Sequence, residues 1–331
     1  MKVILPSFVV FALATGVLRA QTAQSPQSEF QLPEQAQRSG EATAAADGPA
    51  LLLQRVADAC NQHESVQARI HFQADLFGQH TIGSGIYLQR GRGDARNFRL
   101  DLRIPLGQIG DTSKEQVLVR VCDGQYLWEH RELPDMDASD GQARSTITKI
   151  DIRRIRQALE QNRKPISANA EHELMWGGLP KLLDGFQRSF CFTSVQADHL
   201  DAPSASNDGV DSLKVWVATG TWRPEALRGF SATLANDAAQ GRSVTVNKQA
   251  SQAPDEVALY VGQGDLFPYR IEFRRRAEKG RGGESGAEMI PIMQLVFFEV
   301  RLNAQIDDDQ FKYDHNAEDI TGNVIKNLGV K

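Results

Sequence analysis

The sequence predicts an α+β fold built on one large antiparallel sheet, and three observations carry that expectation. Residues 97–104 alternate strictly, with Phe98, Leu100, Leu102 and Ile104 on one parity and Asn97, Arg99, Asp101 and Arg103 on the other. That is the pattern of a strand with one dry and one wet face. Asp123-Gly124 then separates two strand-like runs, and both residues tolerate the positive φ that a tight hairpin needs. Finally, strand patterns precede and follow helical ones without the one-for-one alternation of βαβ units, which favours an antiparallel sheet with helices on one face.

In chain order, residues 1–20 read as a secretory signal. Lys2 supplies the charge, Val3 to Val17 the apolar core and Ala20 a small residue before the expected cut. Pro6 and the short core argue against a retained membrane helix, which needs about 20 apolar residues. Residues 21–48, rich in Gln, Ser, Ala and Glu without periodicity, are expected to be a disordered linker. A single domain is expected over residues 49–331. Pro49 opens a helix whose Leu52, Leu53, Val56, Ala59, Cys60 and His63 form one stripe. Ile70, Phe72, Ala74 and Leu76 alternate as a strand, and residues 81–90 return from it. Within that return Ile86, Leu88 and Arg90 share a parity, which points a cation toward the dry side or its rim; the bland alternative is an arginine that snorkels to water.

Further on, Asp151 caps a helix running through Leu159. A second amphipathic helix starts at Pro180, with Leu179, Leu182, Leu183, Phe186 and Phe190 on one side. Its stripe beside Gly177-Gly178 predicts a lid laid over an apolar surface. Strands resume over 190–195, 213–219, 257–261, 269–275 and 292–302. In the last, Val296, Phe298, Val300 and Leu302 are expected to share a face. Residues 231–255 read as a polar surface excursion. The whole comes to about ten strands and three helices, consistent with one curved sheet.

The chain carries 37 basic and 42 acidic residues, and the leader removes two bases (Lys2, Arg19) and no acid. An acidic mature chain argues against nucleic acid as a partner. Cys60, Cys122 and Cys191 lack metal-type spacing; one disulfide with a free thiol, or three thiols packed as small hydrophobes, fit equally. No nucleophile elbow, phosphate-cradling loop or paired zinc histidines appear, so neither catalysis nor a cofactor is expected. The Asp307-Asp308-Asp309 run reads as a solvated turn rather than a calcium loop.

One ordered set of motifs remains: Gly83-x-Gly85 with Leu88-Gln-Arg90, Asn97-Phe98-Arg-Leu100, and Val121-Cys-Asp123-Gly124-Gln-Tyr-Leu127-Trp128. The ending adds Phe298 through Asn303, Ile306-Asp, Phe311 and Asp319-Ile-Thr321. Together these resemble the periplasmic lipoprotein carrier (LolA-like) family over residues 49–150 and 268–325. About residues 160–256 form an extra region. The resemblance implies an unclosed antiparallel half-barrel whose concave, apolar face is lidded by helices. It implies a periplasmic, non-enzymatic monomer that binds lipid or lipoprotein acyl chains, with an inner-membrane export complex and an outer-membrane receptor as partners. An envelope sensor or scaffold on the same fold is the alternative. The family's arginine beside the cavity is matched by Arg90 and its aromatic by Phe98, with Leu100 in the place of a second aromatic. The ligand-binding residues expected are therefore Phe72, Ile86, Leu88, Arg90, Phe98, Leu100, Leu102, Trp128, Leu182, Phe186 and Phe298.

Overall fold

The computed structural model describes residues 48–76, 79–105, 115–134, 143–161, 178–201, 212–230, 254–277 and 288–327. Along them run α1 (Pro49–Gln62), β1 (Ser65–Leu76), β2 (Gln79–Arg90), β3 (Asn97–Pro105), β4 (Glu115–Cys122), β5 (Tyr126–Pro134) and β6 (Ala143–Asp151). Next come α2 (Ile152–Gln161), α3 (Gly178–Ser189), β7 (Phe190–Leu200), β8 (Leu213–Trp222) and α4 (Pro224–Phe230). The chain finishes with β9 (Glu256–Gly262), β10 (Pro268–Arg276), β11 (Met289–Leu302), β12 (Glu318–Asp319) and α5 (Thr321–Asn327). All twelve strands join one sheet in the order β12-β6-β5-β4-β3-β2-β1-β11-β10-β9-β8-β7. Only the two-residue β12 pairs in parallel, with β6. The sheet ends on β12 and β7, which do not meet, so this is an unclosed half-barrel. The secretory leader, the linker and most of the 231–255 excursion lie outside the described residues.

Local chemistry places the elements. Asp123 Oδ1 accepts the N–H groups of Gln125 (2.8 Å) and Tyr126 (2.7 Å), and Gly124 takes φ +85°, which closes the β4–β5 hairpin. Asp151 Oδ1 accepts the Arg154 N–H at 3.1 Å and caps α2. The extra region supplies α3, β7, β8 and α4, and its two strands extend the same sheet beyond β9. All three cysteines are free thiols; Cys60 and Cys122 are buried and Cys191 is exposed.

Strand register sorts residues onto two faces. On the inner face, one row crosses five adjacent pairings as Ala68, Tyr87, Leu100, Arg120, Glu129 and Thr148. The next row is Ile70, Gly85, Leu102, Leu118, Arg131 and Thr146. Leu52, Leu53, Val56 and Cys60 of α1, with Leu179, Leu183 and Phe186 of α3, pack on the apolar part of this face. A second cluster puts Phe98, Cys122, Leu127 and Ile150 against Ile152, Ile155 and Leu159 of α2, with Val324 and Ile325 of α5 beside them. Gly85 also belongs to the inner face, and a Cβ there would overlap the carbonyl oxygen of Asp101. Its missing side chain lets the β3 backbone at Asp101 approach β2 closely.

The outer face differs from the sequence expectation in two places. Ile86 and Leu88 point outward and pack with Ile306 and Phe311. The dry parity of β2 on the inner side is instead carried by Gly83, Gly85, Tyr87 and Gln89, which have too little apolar content to announce it. In β11 a bulge interrupts the alternation: Glu299 takes φ +50°, and the register shifts opposite Gln67 and Arg69. Phe297, Leu295, Val300 and Leu302 therefore pack against the inner core, while Phe298 lies outside.

After β11 the chain forms a strap over the outer face. Asn303, with φ +58°, accepts the Glu64 N–H at 2.9 Å, and the Ser65 hydroxyl bonds to the Ala304 carbonyl. Arg90 donates to Ile306 O at 2.7 Å, pairs with Asp308 and covers the buried Phe311 ring at 5.2 Å. Arg99 donates to Gln310 O at 3.2 Å. The strap then reaches the β6 edge as β12, where the buried Thr321 hydroxyl accepts the Asp151 N–H at 2.8 Å.

Candidate functional site: a covered apolar face with a polar rim

Strand register and the two covering helices define the candidate site. Of the expected ligand-binding residues, Phe72, Phe98, Leu100 and Leu102 lie on the inner face, and Leu182 and Phe186 sit on α3 above it. Phe72, Phe98, Leu102 and Phe186 are buried, whereas Leu100 and Leu182 are only partly so. The other five lie across the sheet. Ile86 and Leu88 are under the strap, and Arg90 holds that strap in place. Trp128 packs on Tyr126 with ring centroids 5.4 Å apart. Phe298 lies beneath the Arg69 guanidinium, 5.3 Å from its ring centre. The structure therefore does not bring Ile86, Leu88, Arg90, Trp128 and Phe298 to the helix-covered face. The cause is parity, through the two glycines in β2 and the bulge in β11, and for Trp128 its register opposite the outward-facing Val121.

A polar node that periodicity alone does not announce fastens α3 to the inner face. The Tyr87 hydroxyl accepts the Leu179 N–H at 2.7 Å and donates to Gln89 Oε1 at 2.7 Å. Gln89 in turn donates to the Cys60 carbonyl of α1 at 3.4 Å. Arg96, buried beside them, donates to Asn61 Oδ1 at 2.6 Å. Gly178 takes φ +62°, and a Cβ there would come 2.7 Å from the Tyr87 hydroxyl. Burial keeps the Tyr87 phenol protonated by raising its pKa, and pushes the Cys60 thiol up to about 12. The helix expected to act as a lid is thus seated, with its Leu179 N–H engaged by the sheet.

The opposite end of the same face is polar. Arg120 and Glu129 oppose each other across β4 and β5, with Arg120 Nε 2.5 Å from Glu129 Oε2. Arg131 Nε approaches Glu129 Oε1 at 2.5 Å from two positions along β5. Burial works against ionisation of Glu129, but the two guanidinium groups outweigh it and hold the carboxyl below its ordinary range. Thr148 and Thr146 continue these rows onto β6, and Arg144 pairs with Leu133 one row further out. Counting back from the Asp123-Gly124 turn would have found the Arg120–Glu129 pairing. The individual residues look like an ordinary wet strand face.

Fold and site together describe a half-barrel whose apolar inner face is covered by α1 and α3, and toward β6 by α2, and grades into an ionic rim. No protein-family model matches the sequence, and no curated protein matches it. Solved structures do. One is the Pseudomonas aeruginosa MucA/MucB complex, at 14% identity and TM-score 0.35, with 80% of this chain covered. The chain spans 61% of that matched chain. A second is a putative outer membrane lipoprotein-sorting protein domain from Vibrio parahaemolyticus, at 8% identity and TM-score 0.28, covering 81% of this chain and 97% of that one. A third is the Mycobacterium tuberculosis lipoprotein LppX, at 13% identity and TM-score 0.34, covering 79% and 98%.

Proposed function

We propose that this protein is a non-enzymatic carrier of the cell envelope that shields acyl chains of a lipid or lipoprotein on the inner face of its half-barrel. The observation that carries the reading is incomplete cover. Leu100, Leu295, Val300 and Leu302 of the sheet, and Leu182 of α3, pack against the inner core yet stay only partly buried. A sheet folding only for stability gains about 25 cal/mol for each Å² of apolar surface it covers, and these side chains forgo part of that gain. An acyl chain inserted there would recover it at about 0.8 kcal/mol per buried CH₂, with no need for specific polar chemistry. The secretory leader read in the sequence supports export to the periplasm, and an export complex and a receptor membrane would be the partners of such a carrier.

The test is titration with a fluorescent acyl probe, alongside native mass spectrometry of protein purified from its own envelope. A co-purifying lipid or acylated peptide, displaced by the probe, is the expected result. Leu100→Phe sharpens it. In a closed core that enlargement costs about 1–3 kcal/mol, whereas beside a ligand channel it costs well under that and alters probe affinity. A core-sized loss of stability with unchanged probe binding would make position 100 solid core and remove the support for the carrier reading.

A further inference from the structure

We infer that the outer face of β9–β11 is a docking surface for an acidic segment of a partner protein, with Arg270 as the seat of a partner carboxylate. The inference does not depend on what the inner face carries, because strand alternation sets Arg270 and Glu272 on the face opposite the core residues Ile271 and Phe273. Glu272 is the centre of the cluster, with 3% of its side chain exposed. It accepts from Arg274 Nε at 2.8 Å, the Tyr260 hydroxyl at 3.1 Å and Gln294 Nε2 at 2.9 Å, and it pairs with Arg270 Nη2. A carboxylate accepts roughly four hydrogen bonds, so Glu272 has no capacity left. Arg274 is engaged as well. Beyond Glu272 it reaches Glu256 at 3.3 Å and the Tyr260 hydroxyl at 2.6 Å.

Arg270 is the member left open. Among the described residues its one acceptor is Glu272, and its Nε is buried with none. A buried donor without an acceptor is costly, and an arriving oxyanion relieves that cost. The guanidinium lies over the Tyr260 ring, 4.7 Å from its centre, and Glu272 holds it from the side. It is thus a fixed cation with donors in reserve, and 27% of its side chain is reachable from solvent. A planar fork held in place beforehand loses little rotamer freedom when a carboxylate meets it. The surroundings decide which kind of anion fits. The same cross-strand row runs from Tyr260 and Arg270 through the half-buried Val296 to the exposed His71. One row on, the half-buried Phe298 carries Arg69 over its ring. Arginine and aromatic residues around an apolar centre are where protein interfaces concentrate their binding energy. A free anion would use Arg270 and leave Val296 and Phe298 wet, whereas an acidic protein segment covers them too.

Nuclear magnetic resonance of the arginine Nε–H groups in the full chain tests the seat. The titrants are an acetylated, amidated Glu-Leu-Glu-Leu-Glu peptide, its Gln-Leu-Gln-Leu-Gln counterpart, and acetate. The glutamate peptide is expected to move the Arg270 Nε–H signal downfield and to bind at least tenfold tighter than the glutamine peptide, with acetate far weaker than either. Arg270→Gln should weaken the glutamate peptide by about tenfold, the worth of one charge-assisted hydrogen bond, and leave acyl-probe binding unchanged. That variant keeps three donors on Glu272, and His71→Ala, at an exposed position where folding is not at risk, should give a smaller loss in the same direction. Equal affinity for the two peptides, no response of the Arg270 signal, or an Arg270→Gln variant that binds as the native protein does overturns the docking surface and leaves the carrier reading standing. Acetate binding as tightly as the glutamate peptide overturns it in favour of a free-anion site.

Discussion

The Tyr87 hydroxyl stands 2.7 Å from the Leu179 nitrogen, so the first turn of α3 hangs on a residue in the middle of β2. The same hydroxyl is bonded to Gln89, which reaches α1. One phenol thereby couples both covering helices to the sheet.

Tyr87→Phe keeps the ring and removes that link. It leaves the Leu179 N–H and the Gln89 carbonyl oxygen without this partner in a buried place, which costs about 1–3 kcal/mol. Urea denaturation should show the loss. Hydrogen exchange should show it concentrated in residues 179–186 if α3 is held chiefly from this end. A uniform loss over the whole sheet would mean that α3 is ordinary core rather than a separately releasable cover.

Gly85→Ala addresses the close approach of β3 to β2. Because the added Cβ would overlap backbone rather than a flexible side chain, β3 itself must shift. A cost of about 3 kcal/mol or more is expected, at the upper end for overpacking. Gly264→Ala, where a Cβ meets nothing within 4 Å, is the matched control and should leave Tm nearly unchanged.

Arg90→Ala separates the strap from the ligand face. The arginine loses its bond to Ile306 O, its pairing with Asp308 and its position over Phe311, a combined cost of roughly 1–3 kcal/mol. Limited proteolysis should then cut within residues 304–316, with acyl-probe affinity unchanged. Lost probe affinity with an intact strap would return Arg90 to the ligand site.

Glu129 gives the protein an acid-side dependence. Its folded carboxyl is held below the ordinary value of 4.5, so the native state favours the ionised form more than the unfolded chain does. The resulting stability is complete above about pH 4.5 and is lost as pH falls through the lower folded value. Glu129→Gln should cost about 3 kcal/mol near neutrality, because it leaves two arginines without their carboxylate. Denaturation midpoints of variant and native protein should converge as pH drops below 4. A difference that stays constant down to pH 3 would mean that the carboxyl does not titrate with folding.

Much of the fold was legible because its signals are local. The alternation in β3, the Asp123-Gly124 turn, the Asp151 cap and the stripe on α3 each depend on residues a few positions apart. The site was legible only in part. Phe72, Phe98, Leu100 and Leu102 could be placed on the inner face because β1 and β3 alternate without interruption. Ile86 and Leu88 misled because an apolar pair can be dried by a strap that arrives more than 200 positions later, as the Arg90–Asp308 separation of 218 shows. Phe298 misled because one left-handed residue, Glu299, reverses the parity of everything before it. The ionic rim stayed hidden because Arg120, Glu129 and Arg131 acquire meaning only when the hairpin register places them together.

The seam between β1 and β11 also governs when the molecule can form. Val66 lies opposite Leu302, and Arg69 meets Glu299 across 230 positions of chain. The earliest long strand to be made therefore waits for the last long strand before its second edge is satisfied. Contacts of such separation slow folding, and until they close both edges offer unpaired backbone to other chains. Any fragment that stops before Met289 keeps the β1 edge open however well its hairpins form. The order of synthesis thus makes this a protein that needs protection from its own kind until its last strands have arrived.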